Sequence, residues 1–72
     1  MKTWLCLSHR SERDLEAGKS IRAKCTRNKE SARVFVYEQL QLGRVLLVKC
    51  RESGDFKVYG KECLNQTIEL PE

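Results

Sequence analysis

The pattern of apolar and polar residues predicts four β-strands along the chain. Residues 2–8 contain a continuous apolar run, which is typical of a strand partly covered on both faces. Residues 19–26 alternate between small or apolar and cationic side chains, as expected for a strand with one face on a core. Residues 44–51 form the most apolar segment, and residues 56–59 alternate again after a polar turn at residues 52–55. The last two strands are therefore expected to form an antiparallel hairpin.

A helical period of apolar residues predicts one amphipathic helix over residues 29–42. The residues on its apolar face are Ala32, Phe35, Val36 and Leu40. Asn28 is a favourable N-cap, and Gly43 is a natural residue to end the helix. The β-branched Val34 and Val36 lower the local helix propensity, so packing against the sheet is expected to stabilise this segment.

Two further segments are less clearly patterned. Residues 11–14 match a weak capping box, so residues 12–17 form either one or two helical turns or a charged connection. We favour the connection, because only Leu15 and Ala17 are available to anchor a turn. Residues 67–70 are a candidate for a further, short edge strand, so the sheet has either four or five strands.

The order of these elements predicts an α+β fold. A small antiparallel four- or five-stranded sheet would carry one helix packed on one face, in the order β-β-α-β-β. The 72 residues are expected to form a single domain, residues 1–72. A chain of this length buries only roughly 60% of the surface that its unfolded form exposes. A deep catalytic cleft would take much of so small a core, so the length already weighs against an enzyme.

One helix covers only one face of such a sheet, so the other face is either solvated or a binding surface. The alternation predicts that Ile21, Ala23 and Cys25 point to the helix, together with Phe56 and Val58. The residues expected on the opposite face are Arg22, Lys24, Val45, Leu47, Lys49, Arg51, Lys57 and Tyr59. We interpret them as the partner-binding site, with apolar residues at the centre of a protein interface and cations at its rim. A plain solvated face, or a platform on which cations hold phosphates and an aromatic ring stacks a base, remains open.

The charge distribution bears on the nature of the partner. The net charge is +4 and the isoelectric point is near 9.0. Cationic residues outnumber acidic ones between residues 8 and 33, whereas all charged residues after Lys61 are acidic. A cationic half of a small domain is compatible with contact to nucleic acid or to an acidic protein surface.

No constellation of catalytic or metal-binding residues is recognisable in the sequence. His9 is the only imidazole, and it follows a predicted strand, where an exposed loop position is expected. The glycines are scattered and form no phosphate-binding loop. No two cysteines have the C-x-x-C spacing of zinc or redox sites. We therefore expect a non-catalytic protein with no cofactor and no metal.

The cysteines and the first residues bear on the compartment. Cys6, Cys25, Cys50 and Cys63 are interpreted as small core residues with reduced thiols. The apolar run in residues 1–8 is too short for a signal peptide, and no apolar run reaches the length of a membrane span. We expect a cytoplasmic protein with no membrane contact. The alternative is a secreted domain with two disulfides.

The layout of the whole chain resembles that of small phage-encoded anti-CRISPR proteins acting on type I surveillance complexes. The resemblance rests on the opening strand from Met1, the polar turn at Glu12-Arg13, the alternating strand at 20–26, the helix at 29–42 and the hairpin at 45–59. It implies a non-catalytic inhibitor that docks on a host protein or an RNA-guided nucleoprotein complex in the host cytoplasm. Because this chain is basic, mimicry of DNA is not expected. The alternative function is a basic nucleic-acid-binding regulator that uses the open sheet face.

Overall fold

Four antiparallel strands form one sheet, and one long helix lies against it. The computed structural model describes residues 1–72, the whole of the sequence. The strands are β1 (Trp4–His9), β2 (Arg22–Thr26), β3 (Val45–Cys50) and β4 (Phe56–Tyr59). The helices are α1 (Glu12–Glu16) and α2 (Lys29–Gln41), and a 3-10 helix spans Lys61–Asn65. The strand order is β2-β1-β3-β4, so β2 and β4 are the edges. The predicted α+β class is confirmed.

A capping side chain at one end and a glycine at the other define where α2 begins and ends. The Asn28 side-chain oxygen accepts a hydrogen bond from the Ser31 backbone N–H at 2.9 Å, so one of the free donors of the first turn is satisfied. At the other end, Gly43 adopts a positive φ of 80°, which a residue with a side chain rarely adopts. The Gly43 N–H donates to the Leu40 carbonyl and closes the last turn. The helix therefore matches the predicted segment to within one residue at its end.

Two of the sequence predictions for connecting segments are wrong. Residues 12–17 are not a plain connection, because Glu12–Glu16 is helical and the Ser11 hydroxyl accepts from the Asp14 N–H at 3.2 Å. Leu15 is half-buried, and α1 packs against β1 and β3. Residues 67–70 are not a fifth strand, since the sheet has four strands.

The core lies between α2 and one face of the sheet. β1 turns Trp4, Cys6 and Ser8 to this side, and all three side chains are buried. The buried residues that β3 and α2 add are Ala32, Phe35, Val36, Leu40, Leu46, Val48 and Cys50. Ser8 and Gln39 are the polar pair in this layer, and the Ser8 hydroxyl donates to Gln39 Oε1 at 2.8 Å. Because each satisfies the other, neither polar group is left unpaired in the core.

The C-terminal segment, residues 66–72, completes the core without pairing as a strand. Ile68 and Leu70 are buried in it. Side chains of the sheet and of α2 donate to its carbonyls: Trp4 Nε1 to Pro71 at 2.8 Å, Tyr37 hydroxyl to Gln66 at 2.6 Å, Arg33 Nε to Ile68 at 3.1 Å, and Tyr59 hydroxyl to Glu69. Burial raises the pKa of Tyr59 to about 12, so its hydroxyl remains a neutral donor. The segment is therefore held by side-chain donors from three elements.

Neither α1 nor α2 combines the length and the apolar content that crossing a bilayer requires.

Truncating Ile68 tests how much the C-terminal segment contributes to the stability of the fold. Ile68→Ala removes a fully buried side chain from a packed layer, and we expect the free energy of unfolding to fall by about 2–5 kcal/mol. Thr67→Ala, at the exposed neighbouring position, is the matched control and should change it by less than about 0.5 kcal/mol. Urea denaturation followed by circular dichroism measures both values. Equal effects of the two variants would contradict this packing.

Glu72 anchors the same segment through its carboxylate. Lys29 Nζ lies 3.2 Å and Lys2 Nζ 3.9 Å from Glu72 Oε1, and the hydrogen bond from Lys29 holds the pKa of Glu72 below its ordinary value of 4.5. The ionised carboxylate therefore stabilises the fold above pH 4.5, and this contribution is lost as the pH falls through the lowered pKa. Glu72→Gln should be less stable than the wild type at neutral pH, with the difference shrinking in acid. A difference that stays constant with pH in denaturation experiments would refute this role.

Candidate functional site

Side chains that point away from α2 form a continuous apolar face on the sheet. Cross-strand pairing places Val58, Leu47, Leu7 and Ala23 in one row across all four strands. A second row contains Phe56, Lys49, Leu5 and Cys25, and a third contains Val45 and His9. We call these ten residues the open face. Apart from His9, Lys49 is the one ionisable basic residue among them.

The open face is accessible over most of its area. The Phe56 side chain is 63% exposed and the Val58 side chain 50% exposed, although both are large apolar groups. Leu5, Leu7 and Leu47 are half-buried by their neighbours on the sheet. Exposed apolar residues that adjoin one another in rows are unusual on a monomer and are typical of an interaction site.

One end of the open face is closed by α1. His9 belongs to the open face by its position in β1, yet it is only 2% exposed. Its Nδ1 lies 3.2 Å from the Val45 carbonyl oxygen, and α1 packs against β1 and β3 at this end. The sequence-based expectation that His9 is an exposed loop residue is therefore wrong. The accessible part of the open face begins at the row that contains Leu7.

The predicted partner-binding residues do not lie on one surface. Val45, Leu47 and Lys49 lie on the open face, as predicted. The prediction is wrong for Arg22, Lys24, Lys57 and Tyr59, which lie on the side of α2. Their pairing partners are Ser8, Cys6, Val48 and Leu46, respectively, all of which are buried beneath α2. Arg51 follows the end of β3, and its backbone N–H donates to the Thr3 carbonyl. Ala23, Cys25, Phe56 and Val58 occupy the open face instead.

The edge positions of β2 and β4 explain why cations are tolerated on the helix side. Arg22 and Lys24 are exposed there, because the centre of the core lies over β1 and β3. Arg22 lines a shallow groove of about 370 Å³ beside α2, together with Glu38. Long cationic side chains can lie with their aliphatic stems on the protein and their charged ends in water. Alternation within β2 alone could not distinguish this arrangement from the opposite one.

A second groove of about 650 Å³ runs between α2, β4 and the C-terminal segment. Its charged lining residues are Lys29, Arg33, Lys57, Asp55, Glu69 and Glu72. Cations and carboxylates are thus equal in number, and the Lys29 ammonium already pairs with Glu72. The groove does not favour a ligand of either charge. No group of three His, Cys, Asp or Glu side chains is close enough to hold a metal ion.

The four cysteines are unpaired and differ in their surroundings. Cys6 and Cys50 are buried, Cys63 is partly buried and Cys25 is exposed on the open face. Burial raises the pKa of the Cys6 thiol to about 11. The interpretation of all four as core residues is therefore wrong for Cys25.

No protein-family model, curated protein or solved structure matches this chain. The resemblance to anti-CRISPR proteins accordingly stays a prediction. The assignment of the open face as the candidate site depends only on the residues described above.

Thiol modification tests the assignment of the two sheet faces. In the folded protein, Cys25 should react rapidly with iodoacetamide, whereas Cys6 should be protected because it is buried and its thiol pKa is raised. The Cys25→Ser variant is the control and should lose the rapid phase. Mass spectrometry after proteolysis identifies the modified residue. Protection of Cys25 in the folded protein would contradict its exposed position on the open face.

Proposed function

We propose that this protein is a non-catalytic binding protein that docks on another protein through its open face. The observation that carries the proposal is the uninterrupted row Val58-Leu47-Leu7-Ala23, which crosses the whole sheet without a charged or polar residue. Burying such side chains favours association by about 25 cal/mol for each Å² of apolar surface. A sheet face that served only as a solvated exterior would carry polar residues at these positions.

The size of the open face limits what it can bind alone. Four strands spaced about 4.8 Å apart, with about five residues of roughly 3.3 Å each, give a platform of roughly 19 by 17 Å. Stable complexes bury about 800 Å² on each partner. The platform therefore matches the apolar centre of an interface, and the partner must also contact the surrounding rim. The net charge of +4 favours a partner whose rim is acidic.

The distribution of cations does not favour the alternative function in nucleic-acid binding. A single-strand platform needs cations around its aromatic residue, so that phosphates and bases are held together. Here Phe56 has Lys49 beside it, whereas Arg22, Lys24 and Lys57 lie on the other side of the sheet. A protein surface is the better complement to the open face.

The partner class follows from the resemblance described above. A host protein or an RNA-guided nucleoprotein complex in the bacterial cytoplasm is the first partner to test, with the chain acting as its inhibitor. An inhibitor of this kind acts by occupying a surface, so the function requires no catalytic group.

Site-specific photo-crosslinking tests the proposal. Phe56 is replaced by p-benzoylphenylalanine, which keeps an aromatic ring at the open face, and the purified protein is irradiated in a bacterial extract. We expect a covalent adduct with a protein, identified by mass spectrometry. The same replacement at Leu42 is the matched control, because Leu42 is also 63% exposed but lies at the end of α2. It should not produce this adduct.

A substitution on the open face measures how much one of its side chains contributes to binding of the partner. Val58→Ser in the crosslinking protein should reduce the yield of the adduct, and Val34→Ser, at a 46% exposed position on α2, should not. Burial of one such side chain contributes about 1.5–3 kcal/mol, which is a loss of about tenfold or more in affinity. An adduct with RNA or DNA, equal adducts from positions 56 and 42, or no adduct at all would refute docking of a protein on the open face.

A further inference from the structure

The two edges of the sheet differ in their accessibility. β2 pairs with β1 on one side and has no strand on the other. Four of its five side chains are exposed, and the fifth is partly exposed. β4 is the opposite edge, but Lys57 Nζ and the Tyr59 hydroxyl both contact the Glu69 carbonyl of the C-terminal segment. β2 is therefore the edge that has no such contact with the C-terminal segment, and we take it as the edge at which another strand can be added.

The side chains of β2 define what such a strand would contain. On the helix side, β2 presents Arg22 and Lys24. On the open face, Ala23 ends the apolar row and Cys25 ends the row that contains Lys49, both with small side chains. An added strand would place alternate side chains beside each of these pairs, since strand side chains alternate between the two faces. Acidic groups fit beside the cations, and apolar groups would continue the rows.

We propose that β2 pairs with an extended segment of the partner protein in which acidic and apolar side chains alternate. This inference rests on the proposed function, because the apolar side chains of the segment enlarge the open face by one strand. It also supplies contact beyond the roughly 19 by 17 Å platform, which is too small for a complete interface. Main-chain hydrogen bonds would supply affinity, and Arg22 and Lys24 would select the acidic sequence.

The same charges argue against a second copy of this chain at the edge. In an antiparallel pair of β2 strands, a two-fold axis at Ala23 would place Arg22 opposite Lys24 of the other copy. An axis at Lys24 would place the two Lys24 side chains opposite one another. Like charges in directly opposed positions destabilise a pair of strands. In these two registers the edge is thus disfavoured from pairing with itself, whereas it is complementary to an acidic strand.

Peptide binding to the full-length protein tests this inference. The probe is a peptide of about eight residues in which Glu and Val alternate, with both ends blocked, a length within the ordinary range of a strand. Titration of the ¹⁵N-labelled protein should shift the β2 amide resonances first and slow their hydrogen exchange. The matched control peptide, with Lys in place of Glu, should bind at least about tenfold more weakly because its charges oppose Arg22 and Lys24.

Two further arms separate main-chain pairing from simple charge attraction. The Glu-Val peptide methylated on every backbone nitrogen keeps its side chains but loses every main-chain donor, so it should not bind. The Arg22→Glu, Lys24→Glu double variant should reverse the preference and bind the Lys-Val peptide more tightly, by about tenfold. Both positions are exposed, so we expect this variant to fold.

The possible outcomes are distinct from those of the crosslinking experiment. Absence of binding, shifts confined to residues outside β2, unchanged preference in the double variant, or binding of the methylated peptide would each overturn strand addition. If the photoreactive residue at position 56 still crosslinks to a protein, docking on the open face stands without strand addition. If Phe56 crosslinks to nothing, the proposed function fails whatever the peptide does.

Discussion

The pairing of β1 with both of its neighbours is the constraint on which the rest of the structure depends. Ser8 occupies a buried position, and its hydroxyl donates to Gln39 of α2. A shift of β1 by one residue would turn every side chain of the strand to the opposite face and leave Gln39 buried without its partner. Because β2 and β3 pair with β1 in fixed register, this single choice determines which residues of three strands face α2.

The C-terminal segment packs on the helix side of the sheet and near its β4 edge, so the two faces and the two edges differ in what covers them. It fills the helix side next to β4, where Ile68 and Leu70 are buried. A fifth strand at this position would have extended the sheet and left part of the core uncovered. Instead, Tyr59 and Trp4 donate to the Glu69 and Pro71 carbonyls of the segment, which thereby gain partners without a strand ladder. As a consequence, the segment leaves the open face uncovered, and its contacts lie beside β4 and not beside β2.

Local signals in the sequence were enough to predict the four strands and α2, but not α1, the course of residues 67–70 or the faces of the edge strands. The Asn28 cap and the helical period located α2, and the polar turn located the hairpin between β3 and β4. The predicted orientation of β3 is confirmed, because Leu46 and Val48 contact the core. β2 and β4 could not be oriented in the same way, since cations at a sheet edge reach water from either face. Tyr59 points inward, where its hydroxyl donates a hydrogen bond to the backbone carbonyl of Glu69, ten residues further along the chain.

The composition of the open face is difficult to explain by folding alone. Leu5, Leu7 and Leu47 stabilise the sheet through contacts with their neighbours, but an isoleucine, a threonine or a tyrosine would do so as well at a partly solvated position. Phe56 at 63% exposure gains little from burial and adds a risk of aggregation. Lys49 lies between Phe56 and Leu5 in the same row, where its charge limits packing of one open face on another. This combination of apolar side chains with one charge that disfavours self-association supports the proposal that the open face docks on a different protein.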